Sequence, residues 1–207
     1  MVNLVEFFVE IGKLKGMPRK GWVIRDIKNP ESIAEHIFRV TIMAWILAAV
    51  KKDSLNIEKI IKMALIHDLC EVYAGDTTPY DSILPKDKKK RAALLKTWPR
   101  FSIEEREKLA KQKFIKENKA LDKVTLSLPI KVRKEIKKLW LDYEKGLSRE
   151  ARFFRQTDRM ESLFQAAEYW KKYKKPAQKP LWIWAEELFD DPVLLELSEV
   201  LGKRFYK

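Results

Sequence analysis

The chain has 207 residues, 46% of them hydrophobic and 35% charged, enough apolar material for a core of domain size. Lysine and arginine number 43 against 30 acids, a net charge of +13 that favours anionic partners, although lysine spread along every helix also reads as a solvated surface. The single cysteine, Cys70, excludes an intrachain disulfide, argues against a structural cysteine-based zinc site, and favours a reducing, cytoplasmic setting. Apolar residues recur at helical spacing from end to end and strand signals are nearly absent, so the expected fold is all-α. A first helix spans Leu4 to Leu14; its Glu6 and Glu10 argue against a signal peptide. The segment KGMPRKGWVIRDIKNPE, with two glycines and two prolines, reads as an irregular loop. Ser32 and Glu35 form a capping box opening a helix with the stripe Ile33, Ile37, Val40, Ala44 and Leu47. Within it, VTIMAWILAAV falls short of the ~18 apolar residues of a membrane span. A third helix is expected from Ile57 to Tyr73, with Gly75 past its end. TTPYDSILPKD is a loop, and an amphipathic helix follows over Ser102 to Glu117. LPIKVRKEIKKLWLDYEKG is a further helix ended by Gly146, and Ser148 caps a long one reaching Tyr173. Helices over Leu181 to Phe189 and Pro192 to Phe205 close the chain.

One stretch resists a purely structural reading. ALIHDLCEVYAGD holds His67, Asp68, Glu71 and Asp76 within ten residues of an otherwise apolar run. On a helix, His67 and Glu71 share a face, and Asp68 falls on the stripe with Ala64 and Val72. A bare carboxylate there costs several kcal/mol unless it is paired or metal-bound. The other histidine, His36, shares its face with Ile33, Val40 and Ala44. Asp158 lies among Phe153, Phe154, Met160 and Leu163. Two imidazoles and two carboxylates suit one divalent transition ion, Mn, Co, Ni, Zn or Fe, with positions left for water and substrate. Buried histidines are also commonly satisfied core residues, and Asp158 could be a strut paired with Arg155 or Arg159. Spacing alone leaves both readings open.

PESIAEHIFRVTIMA, ALIHDLCEVYAGDTTP and QTDRMESLFQAAEYW resemble the three signature blocks of the HD-domain metal-dependent phosphohydrolases, and most of all their 5'-deoxynucleotidase branch, the HD-domain-containing protein 2 type. The likeness runs from GWVIRDI to AAEYW and includes the LWLDYEKG helix. It implies a single HD domain over 1–207, with a metal-binding core at about 32–173 and C-terminal helices at 181–205 packed on it or at a dimer interface. It implies that His36, His67, Asp68 and Asp158 are the metal ligands. Glu71 and Asp76 match the acids beside the catalytic water and the substrate; which one is the base stays open. Trp22 matches an aromatic near the sugar. In one bacterial branch an arginine directly precedes that tryptophan. Here Gly21 stands there, leaving Arg19, Lys20 and Arg25 as phosphate-binding candidates, with Arg25 taken as a substrate contact. The implied activity is hydrolysis of nucleoside 5'-monophosphates to nucleoside and phosphate, with deoxy sugars preferred if Trp22 packs against C2'. The implied partners are a small nucleotide substrate and a second copy of the chain, with no membrane. Another HD-type nucleotide phosphohydrolase is the alternative. A basic nucleic-acid-binding helical protein with a structural metal ranks below it, since no aromatic-basic RNA motif stands out.

Overall fold

In the computed structural model, which describes residues 2–51, 53–97, 99–174 and 179–205, the capping box forms as the sequence dictates. Ser32 Oγ accepts from the Glu35 amide at 3.2 Å, and the Glu35 carboxylate accepts from the Ser32 amide at 2.6 Å. They open α3, Ile33–Val50. Before it come α1 (Val2–Gly12), a 3-10 turn (Lys13–Gly16) and a short α2 (Lys20–Val23) inside the expected loop. That loop is tied down by Arg19 N donating to Glu31 O and Ile33 N to Met17 O, both at 2.9 Å. By length and composition α3 is apolar enough to cross a membrane, more than the sequence suggested. Its inward stripe nonetheless packs on α4 (Ile57–Ile66) and α9 (Arg149–Tyr173) as a core helix does.

The expected helix from Ile57 to Tyr73 is not continuous. Asn56 caps α4, which stops at Ile66; residues 67–70 turn, and α5 (Glu71–Ala74) follows, ending at Gly75 with φ +71°. In the turn, Leu69 N donates to Ile66 O and Glu71 N to Asp68 O, the tighter three-residue repeat. The His67 ring takes the Ala64 carbonyl at 2.8 Å. His67 keeps helical dihedrals and donates its amide to Met63 O at 3.0 Å, so the four-residue ladder gives way just after it, at Asp68.

The remaining elements are α6 (Lys88–Thr97), α7 (Ile103–Val124), α8 (Ile130–Lys145), α10 (Lys179–Glu186) and α11 (Pro192–Phe205). The sequence reading lacked α6, and α7 runs seven residues beyond Glu117. Gly146 ends α8 at φ +59°, a left-handed position that glycine adopts without cost. Two apolar clusters make the core. One joins α3, α4 and α9 to the C-terminal helices through Val40, Ile60, Met63, Phe154, Leu163 and Leu194. The other joins α3 to the 3-10 turn, α7 and α8 through Ile33, Ile37, Leu14, Leu121 and Trp140. His36 lies on α3 between the residues given to each.

Candidate metal centre

His36 comes from α3 and His67 from the turn that follows α4, and the rings meet edge to face with centroids 5.5 Å apart. His36 Nε2 is 3.1 Å from Asp158 Oδ1 and 3.8 Å from Asp68 Oδ2, and His67 Nε2 is 3.2 Å from the same Asp68 oxygen. His36, His67 and Asp158 can present ligand atoms within 4.8 Å of one another. The opposite ring nitrogens are already engaged: His36 Nδ1 by Glu161 Oε2 at 2.7 Å, His67 Nδ1 by the Ala64 carbonyl at 2.8 Å. Those acceptors assign the proton to Nδ1 in each neutral ring and leave the Nε2 lone pairs facing the carboxylates. Both Nε2 atoms are buried without a hydrogen-bond partner. Two lone pairs and two carboxylates converging out of water need positive charge between them, so this set fits a divalent cation.

Positive groups around the two aspartates hold both carboxyls low. Against burial, His67, Arg19 and His36 hold the Asp68 carboxyl well below the usual range. Asp158 is likewise low against burial, chiefly through His36, and Tyr143 donates its hydroxyl to Asp158 Oδ2 at 2.9 Å. Burial and the Arg19 charge disfavour a charged His36, yet Glu161 and Asp158 outweigh them and raise it to about 10: the acids draw positive charge to this ring, as a proton or as a metal ion on a neutral imidazole. Arg155 and Arg159, the alternative strut partners of Asp158, instead donate to the carbonyls of Glu144 and Trp184, each at 3.0 Å.

Asp68, Glu71, Asp76 and Asp158 all line one cavity of about 330 Å³. Glu71 is buried, with Oε2 unpartnered, and burial together with Asp68 and Asp76 pushes its carboxyl well up. Burial also raises Asp76, whose Oδ2 accepts from the Lys20 amide at 2.7 Å and so anchors the start of α2. Arg19 Nη1 donates to Asp68 at 3.3 Å, placing its guanidinium among the acids. Arg25 lines the cavity too, but its Nη1 is spent on Gly21 O at 2.6 Å and burial lowers it to about 10. Of the expected cations, Arg19 rather than Arg25 faces the acids. Trp22 is only 6% exposed, with Nε1 donating to Glu31 at 2.9 Å and its ring edge-on to Tyr169. It is a fixed wall of the cavity. A wider groove of about 920 Å³ lies between α4 and α8, but its lysines are largely paired, Lys59 with Asp142 and Lys62 with Glu135.

Three contributors escaped sequence reasoning. Glu161 is fully buried, and Arg39 Nε donates to its Oε1 at 2.7 Å. An acid one turn after Asp158 on an apolar face was a readable signal. Lys113, on α7, lines the cavity 3.3 Å from Glu117; against burial, Glu117, Glu144, Asp68 and Glu71 keep it protonated. Nothing in its lysine-rich helix distinguishes it locally. Trp184, from α10, completes the wall.

Comparison with known proteins places this geometry in a lineage. 5'-Deoxynucleotidase HDDC2 of Homo sapiens is 35% identical over 204 residues, covering 98% of this chain and 86% of that protein. 5'-Deoxynucleotidase hdd1 of Schizosaccharomyces pombe is 29% identical over 204 residues, covering 98% and 91%. Among solved structures, a conserved hypothetical protein from Pyrococcus furiosus superposes with a TM-score of 0.70 at 25% identity, over 96% of this chain and 99% of that one. A protein described as a predicted metal-dependent phosphohydrolase from Magnetospirillum magnetotacticum gives 0.58 at 25% identity, over 97% and 96%. The HD domain family model matches residues 11–183, and the chain belongs to that family.

Proposed function

We propose that the protein is a metal-dependent phosphomonoesterase acting on 2'-deoxynucleoside 5'-monophosphates, with His36, His67, Asp68 and Asp158 as the ligands of one divalent transition ion. The observation that carries this reading is the pair of buried, unpartnered Nε2 atoms beside acids at the floor of a cavity that also holds Arg19 and Lys113. The names of the relatives support it. A bound divalent ion supplies positive charge that polarises a phosphoryl oxygen and acidifies water. Arg19 and Lys113 hold the phosphate dianion and the charge that grows on its oxygens. Glu71, which lines the cavity with one oxygen unpartnered, takes the proton of the attacking water as a carboxylate. Asp76 meets the leaving 5'-oxygen or the sugar. Trp22 closes the wall near the sugar and disfavours a 2'-hydroxyl. A second copy of the chain is the partner proposed for the exposed apolar face of α3, which carries Phe38, Trp45 and Ile46. Sedimentation as a 24.5 kDa monomer would remove that part of the reading.

The deciding experiment is a phosphate-release screen of mono-, di-, tri- and cyclic nucleotides with Mn, Co, Ni, Zn and Fe. Release from deoxynucleoside 5'-monophosphates, faster from dAMP than from AMP, is expected. Equal kcat/KM for the two removes the sugar preference. Release from triphosphates or cyclic nucleotides alone reassigns the substrate. Salt-dependent nucleic-acid binding without hydrolysis overturns the enzyme reading.

A further inference from the structure

The tail segment PLWIWAEELF carries two tryptophans with different surroundings. Trp182 packs toward the chain's end, its ring within 3.3 Å of where a Cβ on Gly202 would stand, and Nε1 donates to Glu186 at 2.6 Å. Trp184 instead lines the acid-floored cavity, together with Leu181 of the same helix.

Trp184 is held there by α9. Arg159 Nη1 donates to the Trp184 carbonyl at 3.0 Å, and its guanidinium carbon lies 3.9 Å from the indole centroid. Trp184 lines the cavity, whereas Arg159 itself does not. Arg159 also follows Asp158 directly in the chain. One rigid helix therefore sets both the acid end of the cavity and the aromatic wall.

The other cavity aromatics have little ring to offer. Trp22 is 6% and Tyr80 9% exposed, and the Tyr143 hydroxyl is committed to Asp158. Trp184 and Tyr143 are the part-exposed rings among them, and the Tyr143 ring packs against His67 and Phe154, with centroids 5.3 Å from each. A nucleotide whose phosphate sits among Arg19, Lys113 and the acids must project its base away from that floor, within a cavity at the small end of ligand sites.

Resting on the nucleotide reading above, we propose that Trp184 is the stacking surface for the substrate's nucleobase, with Arg159 backing the indole. Every base has a π face, so such a wall separates nucleotides from plain sugar phosphates while tolerating all bases.

The test compares dAMP with 2-deoxyribose 5-phosphate, which has the same phosphate and sugar but no base. Binding and kcat/KM are measured for the metal-loaded wild type, Trp184→Leu and Trp184→Phe. Leucine keeps apolar bulk without the ring, and phenylalanine keeps a ring. The Leu variant is expected to weaken dAMP binding and kcat/KM about 10-fold, the scale of one base–aromatic stack. It should leave deoxyribose 5-phosphate within about twofold, and the Phe variant should recover most of the dAMP loss. Equal losses on both ligands, or no loss on dAMP, overturn the proposal. Wild-type protein that binds dAMP through Trp184 but releases no phosphate sinks the hydrolase reading and leaves the base subsite standing.

Discussion

Each buried polar atom at the centre has an assignable task, and Glu161 shows how far that reasoning extends. It touches neither the cavity nor an Nε2 atom, yet it fixes the His36 tautomer through Nδ1. Glu161→Gln should keep the fold but weaken metal affinity by ~10- to 100-fold, the usual cost of losing such a support. His67→Ala or Asp68→Ala should leave less than stoichiometric metal and no measurable activity. Metal titration by calorimetry separates the two classes, and unchanged affinity in the Glu161→Gln variant would make Glu161 a packing residue only. Glu117 offers a pH readout. Burial pushes its carboxyl up to about 7, outweighing the Lys113 ammonium beside it. The folded protein thus holds a proton that the unfolded chain releases near 4.5. The stability this gives is present below about 4.5 and is lost as pH rises through about 7. A shift of this size is worth at most ~3 kcal/mol. Urea midpoints should fall between about pH 5 and 8 in the wild type, and Glu117→Gln should flatten that decline.

Helix ends decide where these side chains stand. The halt of α4 at Ile66 gives His67 and Asp68 their shared oxygen-to-nitrogen approach of 3.2 Å. The α8–α9 corner is built equally tightly. Gly146 at φ +59° donates to the Tyr143 carbonyl, and Asp142 takes both the amide and the hydroxyl of Ser148, which in turn caps α9. This corner joins Tyr143 to Asp158 across adjacent helices. Gly146→Ala places a Cβ in the left-handed region and 3.2 Å from the Arg155 guanidinium. It should cost about 1 kcal/mol, a fall in Tm of ~2–4 °C, with a smaller relative loss of activity. A Tm unchanged in calorimetry would mean that the corner relaxes without strain.

At the scale of the molecule, two apolar clusters flank one polar centre, and α3 belongs to both. Trp140 shows the coupling. It is fully buried, stacked on Phe114 at 5.5 Å, and sits on α8 three residues before Tyr143. Trp140→Ala should cost roughly 3–5 kcal/mol by cavity formation. Because α8 also carries the Asp158 partner, metal affinity should fall along with stability. Denaturation with and without metal checks this, and a metal affinity that survives the full stability loss would show that the two clusters act independently.

The sequence by itself determined what depends on neighbours within one helical turn. The apolar periodicity, the Ser32 and Ser148 caps, the Gly75 and Gly146 stops, and the anomalous histidines and aspartates on apolar faces could all be read in order along the chain. Those anomalies and the signature blocks together pointed to the four residues proposed as metal ligands. Tertiary structure decided what depends on distant partners: Glu161 bonded to His36 across 125 residues, Arg19 to Asp68 across 49, and Arg39 to Glu161 across 122. It also chose Arg19 over Arg25 for the acid cluster, broke α4 at His67, and turned Trp184 from a tail residue into cavity wall. The physical reason is that burial and charge pairing act through space. A lysine such as Lys113 has the same local sequence character as its solvated neighbours, and only the packing of α7 beside Glu71 and Asp68 makes it part of the site.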